Sequence, residues 1–100
     1  MKAFLIILLI SISAHAKTKV AITVDDLPKH SEIPSYTSRI EVARKILEAL
    51  KKNSVPEVYG FINAESVERD PSLVEVLKLW TSYSYPLGNH TYSHQDLNKI

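Results

Sequence analysis

The chain has no cysteine in its 100 residues. That excludes disulfide bridges and thiolate metal sites, leaving His, Asp and Glu as metal ligands. No Cys follows the N-terminal apolar run, so a lipid-anchored form is not expected. There is no block or stripe of one charge, and with the first sixteen residues set aside, acidic and basic side chains balance. Nucleic acid and anionic membrane surfaces are therefore poor partners. There is no internal repeat, low-complexity tract or domain linker. The one long apolar run, Ala3 to Ile12, is about ten residues long, too short to span a bilayer.

That run has the three parts of a secretory signal. Lys2 forms a short positive start, Ala3 to Ile12 the apolar centre, and Ala14-His15-Ala16 the small-x-small cleavage pattern. The expected division is a signal peptide over 1–16 and a folded segment over 17–100, exported to the periplasm or medium, without stable membrane insertion after cleavage. An exported segment without Cys depends on its core alone for stability.

Within 17–100 the hydrophobic pattern alternates between two periods. Lys19 to Val24 reads as a short strand rich in β-branched residues. Leu27 to Tyr36 reads as a loop with two prolines. Thr37 or Ser38 caps a helix reaching about Asn53, with Ile40, Ala43, Ile46, Leu47 and Leu50 as its buried stripe and Lys51 and Lys52 in its last turn. Val58 to Ile62 reads as a second strand. Glu65 to Asp70 reads as a solvated loop ending in a cap, and Asp70-Pro71 opens a second helix with Leu73, Val76, Leu77 and Trp80 inward. Tyr83 to Leu87 reads as a third strand, although Pro86 interrupts it, and the chain after His90 as helical or turn-like. The order strand, helix, strand, helix, strand predicts an α/β fold of parallel strand-helix repeats.

In such sheets the active edge lies at the C-terminal ends of the strands. Asp25 and Asp26 follow the first strand, where it bends into a loop, and His90 and His94 follow the third. Two imidazoles four residues apart can share a metal, on a helix or in a looser turn. Either feature alone is common in metal-free proteins, as a surface His pair or as turn and cap aspartates. Their convergence on one sheet edge is what points to a hydrolytic metal site. Such a site needs three protein ligands, open positions and a base. Neighbouring side chains on an extended strand point to opposite sides, so one aspartate can serve as ligand and the other as general base. Gly88 either permits a close backbone approach or simply makes a turn.

The segment Thr23-Val24-Asp25-Asp26-Leu27-Pro28 resembles the first motif of the polysaccharide deacetylases, T-F-D-D-G-P. Gly88-Asn89-His90-Thr91-Tyr92-Ser93-His94 resembles their second, H-[ST]-x-x-H with a preceding Gly-Asn. The resemblance implies Asp25 as general base and Asp26, His90 and His94 as ligands of a divalent metal, commonly Zn2+. It further implies hydrolysis of N-acetyl or O-acetyl groups on a carbohydrate polymer, and the N-terminal half of an irregular (β/α) barrel. Two positions depart from the pattern. Val24 replaces Phe, a mild packing change, and Leu27 replaces Gly, which bears on the backbone path after the aspartates. The base-orienting Arg and general-acid His of the family are expected beyond Ile100. The alternatives are a noncatalytic sugar- or metal-binding remnant and a truncated product that does not fold stably.

Other residues take the plainer reading. His30 reads as a solvated loop His, Asn63 as a turn residue, Trp80 as core rather than sugar platform, and Tyr92 as pointing away from the metal.

Overall fold

The computed structural model describes residues 17–100; the signal-peptide expectation lies outside the described residues. Three short strands form one parallel sheet in the order β1-β2-β3: β1 Thr23–Leu27, β2 Tyr59–Ile62 and β3 Leu87–Asn89. The connections carry α1 (Arg39–Lys52), α2 (Glu65–Arg69) and α3 (Val74–Ser82), so the expected alternation and parallel pairing hold for these three strands. Among the described residues no helix is long and apolar enough to cross a membrane.

Two helical segments begin at side-chain caps, while α2 begins after Ala64 without one. Ser38 has an extended backbone, and its Oγ accepts from Glu41 N at 3.3 Å, while Lys51 and Lys52 end α1 against the carbonyl end of its dipole. Asp70 caps the next helical segment through Oδ1, which accepts from Ser72 N at 3.1 Å. Pro71–Leu73 form a 3-10 turn before α3 proper. Ala43 and Leu47 on α1 and Val76 and Trp80 on α3 are buried. The core under the sheet is built from Leu27, Leu47, Val58, Trp80 and Tyr85. Its two polar handles are satisfied: Trp80 Nε1 donates to Pro86 O at 3.2 Å and Tyr85 Oη to Val55 O at 2.7 Å.

Several sequence-based boundaries are corrected. The first strand does not begin at Lys19, because its partner β2 starts opposite Thr23, leaving residues 17–22 exposed. The third strand begins only at Leu87. Pro86 has no N–H to give a ladder; its carbonyl instead accepts from Gly60 N at 3.0 Å. Ile46 is 39 % exposed and drops out of the α1 stripe. Glu65–Arg69 is a helical turn and not a loop, carrying an i,i+4 pair between Arg69 Nη2 and Glu65 Oε1 at 2.6 Å. The chain after His90 is turn-like, ending in a 3-10 turn at Leu97–Lys99.

Both glycines make room for a ring. An added Cβ at Gly60 would stand 2.9 Å from Trp80 Cε2 and would also collide with Leu27 Cδ1; at Gly88 it would stand 2.7 Å from Phe61 Cδ1. Gly88 thus lies within β3 as a close-approach residue and not in a turn. Gly60 also answers the departure at Leu27: the larger side chain is buried over the space left by the missing Cβ.

Candidate metal centre

The two aspartates lie inside β1, not in a loop after it. Val24 pairs with Gly60 and Leu27 with Ile62, so three steps along β1 are matched by two along β2. This extra residue is a β-bulge over Asp25–Asp26, and Asp26 takes a left-handed backbone at φ 61°. Aspartate tolerates that region better than most residues. A bulge breaks the simple alternation of side chains and can re-aim one of them. Here Asp26 is partly buried, its side chain 18 % exposed, while Asp25 is exposed.

The second histidine-bearing segment leaves β3 at Asn89. His90 N still donates to Ile62 O at 2.9 Å, extending the ladder by one residue. Asn89 Oδ1 then accepts from Thr91 N at 2.8 Å, and Thr91 and His94 both adopt positive φ, at 67° and 54°. The His pair therefore converges through an irregular turn rather than along a helix, with its ring centroids 4.8 Å apart.

Three donor atoms meet there. Asp26 Oδ1 lies 3.3 Å from His90 Nε2 and 3.6 Å from His94 Nε2, and a donor atom of each residue lies within 4.8 Å of the other two. Oδ1 is buried yet has no hydrogen-bond partner. A buried carboxylate oxygen without a partner is costly unless something else satisfies it. Ligand bonds of 2.0–2.2 Å in tetrahedral geometry separate neighbouring donor atoms by about 3.4 Å. The oxygen-to-nitrogen spacings and the hard and borderline donors both suit a divalent cation.

Around this point lies a cavity of about 270 Å³ lined by Asp26, Lys29, His30, Asn63, Glu65, Ser66, Ser93 and His94. Asp25 does not line it. A larger concavity of about 780 Å³ between α1 and α3 contains no imidazole, and among the described residues the metal-ligating group lies elsewhere, at Asp26, His90 and His94. The chemistry therefore belongs to the smaller one.

Three residues read plainly from the sequence take larger parts here. Asn63 is buried at the end of β2, donating from Nδ2 to His90 O at 2.6 Å and Thr91 O at 3.0 Å, while its own N–H donates to Leu27 O at 2.9 Å. It joins the two motif-bearing segments. The available signal was a polar residue ending an otherwise apolar strand. Tyr92 points away from the histidines as expected, and its Oη donates to Glu68 Oε2. That hydrogen bond, reinforced by the Glu68 charge, raises the Tyr92 pKa although the ring is exposed. His30 is exposed, as expected, but its Nδ1 lies 2.8 Å from Asp26 Oδ2.

A small parallel α/β sheet carrying an Asp-His-His cluster at the carboxyl ends of its strands defines a class of candidate metallohydrolase sites. The match to a family model of polysaccharide deacetylases, over residues 13–100, makes the assignment specific: the chain belongs to that family of hydrolases. It is 33 % identical over 84 residues to the peptidoglycan-N-acetylglucosamine deacetylase of Bacillus cereus, covering 84 % of this chain and 26 % of that relative. The chain thus spans about a quarter of the relative's length. No solved structure matches at a comparable level.

Proposed function

We propose that this chain carries the metal-binding part of a carbohydrate deacetylase that cleaves acetyl groups from an exported or cell-wall polysaccharide. The observation that carries this reading is the buried, partnerless Oδ1 of Asp26 facing two imidazoles. Asp26, His90 and His94 would hold a divalent cation, most simply Zn2+ given one oxygen and two nitrogen donors. When bound, such an ion supplies Lewis-acid polarisation of the acetyl carbonyl and lowers the pKa of water.

The remaining work falls to the chain. Asp25, next to the ligand in sequence and exposed outside the cavity lining, serves as general base and takes the proton of the attacking water at the solvent side of the cluster. A carbon–oxygen bond forms at the acetyl carbon, the carbon–nitrogen bond breaks, and the sugar amine leaves with a proton as acetate is released. Asn63 holds the His90 turn at a fixed distance from β1. The general acid and the base-orienting arginine of the family would come from outside residues 17–100.

The same reading makes the three strands part of a (β/α) barrel, with further strands pairing at the outer edges of β1 and β3. Export rests on the N-terminal pattern of residues 1–16. The glycan of peptidoglycan, named in the relative, is the first polymer to test.

The test measures acetate release by the full-length protein from acetylated glycan. Loss of turnover by at least about 100-fold in Asp25→Asn, with cation binding retained, is expected for the general base. Unchanged turnover in that variant would remove Asp25 from the reaction. Cation binding without acetate release in the wild type would replace the enzyme by a binding protein.

A further inference from the structure

We infer that His30 is a positioning residue that fixes the carboxylate of Asp26 with Oδ1 directed at the histidine pair. The inference rests on the reading of Asp26 as a ligand. Neither the motifs nor the family match assigns His30 a role.

A carboxylate at the end of a short side chain has two equivalent oxygens and a soft terminal torsion. For three ligand atoms to be ready together, something must fix that torsion, so that one oxygen faces the imidazoles and the other is held away from them. His30 Nδ1 lies 2.8 Å from Oδ2, the oxygen not facing His90 and His94. Two lone pairs at that distance would repel. An ionised carboxylate has no proton to offer, so Nδ1 carries it. This assignment holds for neutral or charged imidazole and needs no titration.

His30 is itself held. Arg39, the first residue of α1, donates from Nη1 to His30 O at 2.6 Å and from Nη2 to Ser31 O. The guanidinium spans two successive carbonyls where the chain turns through Ser31, which has φ 44°. A rigid helix end thus supports the loop, the loop supports the imidazole, and the imidazole supports the carboxylate. This is the carboxylate counterpart of an outer-shell partner orienting a metal ligand. The His30 side chain is 75 % exposed, so water competes for the contact and the effect belongs at the lower end of the range for such partners.

Zn2+ titration by calorimetry of the full-length wild type, Asp26→Asn, His30→Ala and His30→Asn distinguishes the possibilities, with circular dichroism to match folds. Wild-type binding abolished in Asp26→Asn establishes the ligand reading on its own. On that background His30→Ala is expected to bind about tenfold more weakly, and His30→Asn, whose amide N–H can stand where Nδ1 does, to recover to within about threefold. Wild-type affinity in His30→Ala overturns the inference and leaves the ligand reading standing. Failure of His30→Asn to recover also overturns it, because the imidazole then acts by some means other than this N–H. Absence of Zn2+ binding in the wild type, or wild-type affinity in Asp26→Asn, removes the ligand reading and the inference with it.

Discussion

Gly60 shows how one absent methyl group shapes this protein. It lies in β2 opposite Val24, beneath Leu27 and beside the indole of Trp80. Its backbone is not in the left-handed region, so alanine meets no conformational barrier there, only crowding. Gly60→Ala should destabilise the fold by about 1–3 kcal/mol, because Leu27 and Trp80 must shift out of a packed core. Trp80 is the chain's only tryptophan, so its fluorescence in urea reports the change directly. An unchanged midpoint would show that the core yields without cost. The sequence contained Leu27 and Gly60 as separate facts, one a departure from a motif and the other an unremarked strand residue. Their compensation is a contact between neighbouring strands, which no local pattern encodes.

At the scale of elements, the turn carrying His90 and His94 is held from three sides. β2 accepts from His90 N through Ile62 O, Asn63 donates to two of the turn's carbonyls, and α2 reaches it through Glu65 N to Tyr92 O at 3.1 Å and Tyr92 Oη to Glu68. The last contact has a pH signature. The hydrogen bond to Glu68 raises the Tyr92 pKa, so the folded state holds this proton more tightly than the unfolded chain. Its stabilising contribution is complete below the ordinary tyrosine range and is lost as pH rises through the raised folded value. In Glu68→Ala the Tyr92 phenol should ionise at lower pH, read by phenolate absorbance against Tyr92→Phe. The extra alkaline loss of stability expected of the wild type should disappear with it. Identical Tyr92 titration in both proteins would mean that the α2 contact does not form in solution. The five-residue α2 was not legible as a helix, being too short for a 3.6-residue period to declare itself. By contrast, α1 and α3 announced themselves through the apolar stripe and the Ser38 and Asp70 caps.

For the whole molecule, a cation held between β1 and the turn after β3 would clamp the two outer strands of the sheet, which do not pair with one another. Binding to the folded state alone stabilises it by mass action, by about 2.7 kcal/mol at a free concentration a hundred times Kd. Thermal unfolding of the full-length protein should therefore move upward with added Zn2+ and return after chelation. A melting curve indifferent to both would count against a cation at Asp26, His90 and His94.

The sequence by itself determined the alternation of strands and helices, their caps, the core position of Trp80 and the two motifs that mark the family. These are written in periods of two and 3.6 residues and in short spacings, and the chain carries them before any tertiary contact forms. Only the tertiary structure decided where the strands begin, that β1 bulges at Asp25–Asp26, and that Asp26 turns its carboxylate between His30 and the histidine pair. Strand ends and bulges depend on which backbone donors the neighbouring strand offers. Asn63 meets His90 across 27 residues of chain. The aim of a side chain at a bulge follows from the pairing on both sides of it, and that exists only once the sheet has assembled.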